Sequence, residues 1–266
     1  MKQKIFHTSL AILFYITLCT STNAQQKEFE EIQALNWQQI FFDKGDKDWQ
    51  DQWFLDGKKA IITNGEDGML FAAGPVEREN ASHAVLWTKR TFSGDIKIEY
   101  DFTKVDHANK AVNIMYIQAT GKEQGPYEKD ISAWSHLREI PKMSTYFNNM
   151  KLWHISYAAF GNGEELNKPD YVRARRYPVI EGKKFKDTQV GKSYDETGLF
   201  KDDVQYHMTF IKKGDLLMLH VKGDGKSSYF SWDFSAHPSI TEGRIGLRHM
   251  WTRASRYANF SVSHLE

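Results

Sequence analysis

The chain has 266 residues, with 35 Lys and Arg against 34 Asp and Glu, so it lacks the basic excess of proteins that bind nucleic acids or anionic membranes. Aromatic residues make up 14% of the chain, which suits β-sheets and also suits surfaces that stack against sugar rings. The composition therefore favours a β-rich protein and gives no reason to expect a nucleic-acid or membrane partner.

The first residues have the order of a secretory signal peptide. Lys2 and Lys4 precede an apolar run from Leu10 to Leu18, and small or polar residues then lead to a cleavage site after Ala24. The apolar run is too short to span a membrane. We therefore predict that residues 1–24 are removed on export.

The only cysteine, Cys19, lies inside this leader, so the mature chain can form no disulfide. Its neighbour Leu18 occupies the position where a lipoprotein signal needs a small residue, which argues against a lipid anchor. We predict a single secreted domain over residues 25–266 with no membrane insertion, and we favour the periplasm as its location. The sequence leaves the oligomeric state open.

Most of the mature chain alternates apolar and polar residues with a period of two, the pattern of half-buried strands. Residues 96–103 show it clearly, and residues 204–234 form a predicted three-stranded meander, since Lys-Gly-Asp and Asp-Gly turn signals separate three such runs. Further strands are predicted near residues 36–42, 59–63, 69–73, 84–90, 112–119, 151–159, 244–250 and 256–263.

A short helix is predicted over Asp130–Glu139, with Asp130 as its N-cap. A dozen or more short strands with little helix predict an all-β sandwich of two antiparallel sheets. Residues 120–150 and 160–203 interrupt the strand pattern as long irregular segments. Loops of that length in a compact domain are usually functional.

His154 stands in the middle of a predicted strand. Alternation places Trp153, Ile155 and Tyr157 on the core face and turns His154 and Ser156 to the other side. An imidazole beside a small serine has room for a ligand there. The alternative is a histidine that is hydrogen-bonded to a neighbouring strand and has no further role.

The C-terminal stretch "GRIGLRHMWTRASRYANFSVS", together with "GDIKIEYDF" and "KLWHISY", resembles the strands of concanavalin-like jelly rolls of the LamG and glucanase type. Over the whole mature chain the sequence is similar to the DUF1961 family of secreted bacterial proteins. Within that group it resembles an oligosaccharide dehydratase of ulvan degradation. These motifs are strand patterns, so they support the architecture better than the chemistry.

The resemblance implies an oligosaccharide substrate bound on the concave sheet. The substrate would contain sulfated rhamnose and uronic acid, and removal of water from a terminal uronate would leave a 4,5-unsaturated sugar. Such an elimination requires a group that neutralises the carboxylate, a base for the C5 proton and an acid for the oxygen leaving from C4.

Arginine suits the first role, because its planar fork binds two oxygens of a carboxylate or sulfate at once. The candidates are Arg138, Arg173, Arg175, Arg176, Arg248 and Arg253. The alternative is that these are solvated charges on strand edges.

His154 is the predicted base and Tyr146, in the loop before its strand, the predicted acid. Tyr116 is a second candidate for binding or protonation. Both tyrosines could instead be packing residues, which is the commoner role of tyrosine in a core.

Further substrate contacts are predicted from aromatic and polar residues at a spacing of two. His83 with Trp87, and His249 with Trp251, could grip a sugar by stacking and a hydrogen bond, or could form a wet sheet edge. Tyr257, with Asn259, could line the same cleft or make surface cross-strand pairs.

Three other functions compete with the dehydratase. A polysaccharide lyase would use the same residues on a chain-internal uronate, and a lectin-like module would bind sugar without chemistry. A glycoside hydrolase is less favoured, because no strand carries the Glu-x-x-x-Glu or Glu-x-Asp-x-x-Glu motif expected of a retaining enzyme of this fold, although Glu99 and Asp101 share one polar strand face.

No cofactor is predicted. The sequence contains no zinc-binding arrangement of histidine and cysteine and no glycine-rich phosphate loop after a strand. Asp43 to Asp48 gathers carboxylates that could hold a structural calcium ion, but their spacing is not that of a known calcium loop, which favours a solvated turn.

Overall fold

A computed structural model describes residues 23–161 and 168–266. In chain order the strands are β1 (Trp37–Asp43), β2 (Trp53–Asp56), β3 (Ile61–Gly65), β4 (Gly68–Ala72), β5 (Ala84–Thr88), β6 (Phe92–Ser93), β7 (Ile96–Lys104), β8 (Asn113–Gly121), β9 (Met150–Ala159), β10 (Tyr171–Tyr177), β11 (Gln189–Asp195), β12 (Gln205–Lys213), β13 (Leu216–Gly223), β14 (Lys226–Asp233), β15 (Glu242–His249) and β16 (Ala254–Leu265). The α-helices are α1, which includes residues 23–33, and α2 (Met143–Asn149). Short 3-10 helices lie at Trp49–Asp51, Asn80–Ser82, Ile131–Arg138 and Phe185–Thr188.

The strands form two eight-stranded antiparallel sheets, which confirms the predicted all-β sandwich. The first sheet has the order β14-β13-β12-β7-β16-β4-β3, with β1 also paired to β16. The second has the order β11-β10-β9-β8-β15-β5-β2, with β6 also paired to β15. The late strands β15 and β16 therefore lie in the middle of their sheets, where Val262 of β16 pairs with Ile98 of β7.

The core lies between the two sheets and is built from every second residue of the strands. Ile98 and Val262 from the first sheet meet Met115, Ile155 and Leu247 from the second, and all five are buried. Burial of such a side chain contributes about 1.5–3 kcal/mol. The alternation that predicted these strands is therefore the pattern that holds the sheets together.

All the strands predicted from alternation are present, whereas the irregular segments hold more structure than expected. β10 and β11 lie inside the segment 160–203, and α2 inside 120–150. The predicted helix after Asp130 is a 3-10 helix, and Asp130 caps it by accepting a hydrogen bond from the Ser132 amide at 2.9 Å.

The helix α1 packs on the outer face of the first sheet. Phe29 is buried against Ile211 and Met218, and the Gln25 amide donates to the Tyr194 hydroxyl of β11 and the Ser231 hydroxyl of β14, each at 2.8 Å. This segment therefore bridges the edges of the two sheets. The part of the predicted signal peptide before residue 23 lies outside the described residues. Within the described ranges, no helix is long and apolar enough to cross a membrane.

Candidate functional site

The outer face of the second sheet, which points away from the sandwich interior, is covered by residues 131–149, here called the roof. Ile131, Trp134 and Tyr146 of the roof pack against Trp87 and Tyr116 of the sheet and form a second buried cluster. One of the predicted long loops is therefore a folded cover on the sheet. The residues beneath it form the candidate site.

His154 lies on this face, as the alternation predicts, since Trp153 and Ile155 point into the core. Its side chain is 1% exposed, with Nδ1 2.7 Å from the Tyr177 hydroxyl and Nε2 2.7 Å from the Ser156 hydroxyl. The expectation of open space beside His154 is wrong, because the roof and these two hydroxyls occupy it. Burial, followed by the charge of Arg175, holds the pKa of His154 well below its usual value, so the imidazole is neutral and one ring nitrogen is unprotonated.

Two tyrosines, Tyr116 and Tyr177, contact this histidine, and Tyr146 stacks on the first of them. Tyr116 is its direct partner across β8 and β9, Tyr177 follows on β10, and Tyr146 reaches down from α2. The Tyr116 and Tyr146 rings stack with their centroids 6.0 Å apart. Burial raises the pKa of Tyr116 to about 12 and that of Tyr146 well above 10, so both phenols keep their protons and can donate them.

Arg248 of β15 brings a positive charge under the roof with no carboxylate beside it. It is 0% exposed, and its Nη2 donates to His83 Nδ1 and to the Pro141 carbonyl, each at 2.7 Å. Its Nε and Nη1 have no hydrogen-bond partner, and within residues 23–161 and 168–266 it makes no ion pair. The pKa of His83 falls to about 3, through burial first and the Arg248 charge second.

The Arg248 guanidinium also lies 4.4 Å over the Tyr146 ring. It lowers the pKa of the Tyr116 phenol by its charge and by a side-chain hydrogen-bond contact, against the larger effect of burial, although that contact is not well enough aligned to satisfy Nε or Nη1. A buried guanidinium with unused donors and no counter-ion is expensive to keep unless a ligand supplies the negative charge. The site is therefore electrostatically suited to an anion.

Asp56 at the end of β2 is the carboxylate that ties the roof to the sheet. Its Oδ2 accepts hydrogen bonds from Arg138 Nε at 2.6 Å, Trp87 Nε1 at 2.7 Å and the Tyr146 hydroxyl at 2.9 Å. Burial raises the pKa of Asp56, which Arg138 opposes by charge and hydrogen bonding. Arg138 is fully buried and lies over Trp134. The predictions that it contacts the substrate or is a solvated charge are therefore both wrong in this structure.

The β10 arginines differ from one another. Arg175 is paired with His154 across the sheet, and its Nη1 donates to the Phe185 carbonyl and the Thr188 hydroxyl, each at 3.2 Å. Arg173 is more exposed and donates to the Ser193 hydroxyl, which places it at the edge of the site.

His249 and Tyr257 lie between the two sheets, so their predicted place in the cleft is wrong. His249 stacks on Phe71 with centroids 4.2 Å apart and hydrogen-bonds the Tyr257 hydroxyl at 2.8 Å. His249 follows Ile245 and Leu247 on the core face of β15, whereas for Tyr257 the alternation fails because a bulge in β16 shifts the register between Ala258 and Ser261. Tyr257 thereby points inward with the core residues that follow the bulge.

Arg253 is also outside the cleft. Its Nε pairs with an Asp106 oxygen at 3.0 Å, and its Nη1 donates to the Ala158 carbonyl at 2.8 Å. Trp251 is buried at the edge of the roof cluster, and Asn259 donates to Asp101 at 2.8 Å. None of these residues contacts His154.

His83 and Trp87 do lie under the roof, as their spacing predicted. Trp87 is fully buried, stacks on Tyr116 at 5.5 Å and passes directly over Gly246, where an added Cβ would lie 2.5 Å from the indole. The Trp87 indole, which was predicted to stack on a sugar, is therefore covered by other side chains. Asp56 and Tyr177 were missed, although Tyr177 continues the spacing of two that links Arg173 and Arg175.

The acidic turn after β1 uses its carboxylates internally. Asp43 accepts from the Trp53 indole at 2.6 Å, Asp46 pairs with Lys44 at 2.9 Å, and Asp48 caps the 3-10 helix that follows. In the two described ranges, no three His, Cys, Asp or Glu side chains come together as a group that could hold a metal ion. The turn therefore shows no arrangement suited to calcium.

No protein-family model matches the chain, and no curated protein matches it. Solved structures do. A Bacillus subtilis protein of unknown function with a galectin-like fold matches with a TM-score of 0.64 at 17% identity, over 87% of this chain and 100% of that chain.

Two sugar-bound lectin structures also match. A Bauhinia forficata lectin in complex with GalNAc has a TM-score of 0.55 at 9% identity, over 86% of this chain and 98% of that chain. The lumenal domain of VIP36, bound to calcium and Man3GlcNAc, has a TM-score of 0.53 at 11% identity, over 85% and 91%. The chain therefore has the concanavalin-like, galectin-like jelly-roll fold. Identities this low show the fold alone.

Proposed function

We propose that the protein is an exported carbohydrate-active enzyme that binds a uronate-containing oligosaccharide under the roof and catalyses β-elimination on it. Dehydration of a terminal uronate is the preferred reaction, as in the dehydratase that the sequence resembles. We also propose that the chain is a member of the DUF1961 family. The observation that carries it is the buried Arg248 guanidinium, which has unused donors and no counter-ion beside neutral histidine and protonated tyrosines.

Arg248 would take the uronate carboxylate. The Nη2 of Arg248 is already engaged by His83 and the Pro141 carbonyl, and its Nε and Nη1 lie on opposite sides of the guanidinium, so each of them could donate one charge-assisted hydrogen bond to a carboxylate oxygen. Neutralising that carboxylate stabilises the negative charge that develops when the C5 proton leaves. Binding would also supply the charge that the buried arginine lacks.

His154 would accept the C5 proton, because its neutral ring keeps one nitrogen free of a proton. For the acid, the contacts favour Tyr116 over the predicted Tyr146, whose hydroxyl donates to Asp56. The Tyr116 hydroxyl is 3.8 Å from the Met143 sulfur, a weak acceptor that a sugar oxygen would readily replace. Tyr177 holds the imidazole in place from the other side.

Substrate entry would require the roof to move, since His154 and Arg248 are almost fully buried. The roof is tied to the sheet through Asp56, whose partners Arg138 and Tyr146 both belong to it. Opening would break those two contacts and also the hydrogen bond from Arg248 to the Pro141 carbonyl of the roof. Closing over a substrate would exclude water from the reaction.

A second candidate is a sugar-binding module without chemistry. It is favoured by the likeness to the lectin from Bauhinia forficata and to VIP36, whose structures contain sugars, and by the two hydrogen bonds that already engage the His154 ring. In this alternative Arg248 would still select an acidic sugar.

The test follows absorbance near ~235 nm, where an unsaturated uronate absorbs, while the protein acts on uronate-terminated oligosaccharides. Carboxyl-reduced oligosaccharides of the same length serve as the matched control. Rising absorbance with loss of one water in mass spectrometry supports the dehydratase, and rising absorbance with chain cleavage supports a lyase. A flat trace with saturable binding of the acidic sugar supports the binding module, whereas equal binding of the reduced sugar contradicts the role of Arg248.

A further inference from the structure

A polar trough lies on the outer face of the first sheet, on the side of the sandwich away from the roof. Asp101 and Thr103 of β7 line it, and they alternate with Tyr100 and Phe102 of the core; the rest of the lining comes from β12, β16 and the turns beside them. The trough has a volume of about 480 Å³, within the range of about 300–1,000 Å³ that is usual for small-molecule sites, and more of its accessible lining is polar than apolar. This cavity, here called the Asn259 trough, therefore suits a small polar ligand.

The Asn259 trough holds one carboxylate in a fixed position. Asp101 Oδ2 accepts a hydrogen bond from Asn259 Nδ2 at 2.8 Å, and Asp101 Oδ1 lies 2.9 Å from His207 Nδ1. Asn259 belongs to the β16 bulge and has a φ of 54°, a left-handed conformation that asparagine tolerates better than most residues. A carboxylate oxygen can accept more than one hydrogen bond, so Asp101 is still able to accept from the hydroxyl groups of a ligand.

Polar groups that the fold leaves free lie around this carboxylate. The side chains of Thr103, Asp203 and Gln205 line the trough and make no hydrogen bond within residues 23–161 and 168–266. Ala258, the strand partner of Asp101, also lines the trough, and its small side chain leaves room beside the carboxylate. Because a sugar hydroxyl both donates and accepts, amide, hydroxyl and carboxylate groups side by side can satisfy several such hydroxyls at once.

The charge of the trough disfavours an acidic ligand. Its two cations are Lys44 and Arg256; Arg256 is paired with Asp67 at 3.0 Å, and Lys44 is paired with a carboxylate outside the lining at 2.9 Å. Glu66 and Asp203 also line the trough, and neither makes an ion pair in the described ranges. The uncompensated charge is therefore negative, the opposite of the charge under the roof.

We propose that the Asn259 trough binds an uncharged sugar unit. Asp101 would accept charge-assisted hydrogen bonds from neighbouring hydroxyls of the ring, and the amides of Asn259 and Gln205 would supply further donors and acceptors. A glycan with neutral and acidic units could then be held on both faces of the sandwich, with its neutral units in the trough. The inference does not depend on elimination under the roof, because the trough is built from the first sheet and its turns.

The experiment measures binding of tetrasaccharides of glucose, xylose, mannose and galactose to the full protein by isothermal titration calorimetry. Saturable binding of at least one of them is expected, at least tenfold weaker in Asp101→Ala and unchanged in the control Glu99→Ala. Glu99 is a matched control, since it lies two residues earlier on the same face of β7, pairs with Lys97 at 3.0 Å and does not line the trough. If Asp101→Ala does not fold, the double variant Gln205→Ala/Asn259→Gly must show the loss instead, because glycine keeps the left-handed conformation.

A second arm separates the trough from the site under the roof. Arg248→Gln should bind the neutral tetrasaccharide as tightly as the original protein does. The proposal is overturned if no neutral tetrasaccharide binds saturably, if Asp101→Ala and the double variant bind as well as the original protein, or if Arg248→Gln abolishes the binding. Because uronate elimination is read by absorbance, its failure would leave this result unaffected.

Discussion

Two buried histidine clusters lie on opposite faces of the second sheet, and their difference shows how a ligand site can be told from a structural one. Under the roof, His154 bonds Tyr177 and lies near Arg248. Between the sheets, His249 bonds Tyr257. Both histidines are buried, bonded to a tyrosine hydroxyl and lowered in pKa.

The clusters differ in their counter-ions. Arg253, beside the interior cluster, is paired with Asp106 at 3.0 Å, whereas Arg248 makes no ion pair in the described ranges. Each arginine leaves at least one nitrogen without a hydrogen bond, so unused donors alone do not separate them. The uncompensated charge does, because the fold neutralises one buried cation and leaves the other for something else to neutralise.

The largest expected effect is on the interior cation. Arg253→Gln removes one of the two buried cations that pair with Asp106, while Lys104 remains at 3.2 Å. Loss of the charged hydrogen bond to Asp106 and of the bond to the Ala158 carbonyl should lower the free energy of unfolding by about 2–4 kcal/mol in urea denaturation. Arg256→Gln, which breaks an exposed ion pair, should cost no more than about 1 kcal/mol. If Arg253→Gln lowers the free energy of unfolding as little as the control does, the ion pair of Arg253 does not distinguish the interior cluster from the one under the roof.

Arg248→Gln should instead affect turnover strongly and stability weakly. Turnover of an acidic oligosaccharide should fall by about 10²–10³-fold, the usual effect of removing a group that stabilises developing charge. The free energy of unfolding should change by no more than about 1–2 kcal/mol, because loss of the hydrogen bonds to His83 and the Pro141 carbonyl is partly offset by removal of an uncompensated buried charge. If stability falls as far as in Arg253→Gln while turnover persists, Arg248 is a structural residue.

Acid should destabilise both clusters. The pKa values of His83 and His249 are about 3 and that of His154 is well below 6.5, so the unfolded chain binds more protons than the folded one once the pH falls below about 6.5. Stability should therefore be full above that pH and fall toward pH 3, by up to about 1.4 kcal/mol per pH unit for each histidine.

The contribution of the interior cluster to this pH dependence can be measured with a variant of His249. His249→Phe keeps a ring against Phe71 but removes one titrating group. Between about pH 6 and about pH 4, the free energy of unfolding of the variant should therefore fall less steeply with decreasing pH than that of the original protein, by the equivalent of one proton. Urea midpoints across that range give the slope. An unchanged slope would mean that His249 titrates alike in the folded and unfolded states.

The smallest expected effects come from single hydroxyls. Ser156→Ala removes one hydrogen bond to His154, and Ser255→Ala removes one to Asn113 in the interior; each should cost about 0.5–1.5 kcal/mol in thermal unfolding. Only Ser156→Ala should also alter the pH profile of turnover, because only that serine holds the proposed base. The comparison fails if both variants change that profile equally.

Much of the fold could be predicted from the sequence because the two sheets share one core. The period of two in residues 96–103 requires one apolar face, and burial of that face fixes the strand. The same rule placed His154 outside the core correctly. It failed for Tyr257, since the bulge in β16 depends on the partners of that strand and not on its own residues.

The roof could not be predicted because its contacts are distant in sequence. Asp56 meets Arg138 and Tyr146 only after β2 and the roof are brought together, and no local pattern marks a short strand ending in aspartate as an anchor. In the sequence, β10 shows mainly its cluster of arginines, although Val172 and Ala174, which alternate with Arg173 and Arg175, face the core. Charged side chains on one strand face can conceal the alternation of the other.

The central position of β15 and β16 has a consequence for how the chain reaches this structure. Val262 pairs with Ile98, and Arg248 pairs with Val85, so each sheet is completed by residues that are distant along the chain from their partners. Such non-local pairing slows folding, because a long loop must close before any contact rewards it. Neither half of the chain contains a whole sheet. We therefore expect the two sheets to form slowly and in one cooperative step, with no half that is stable by itself.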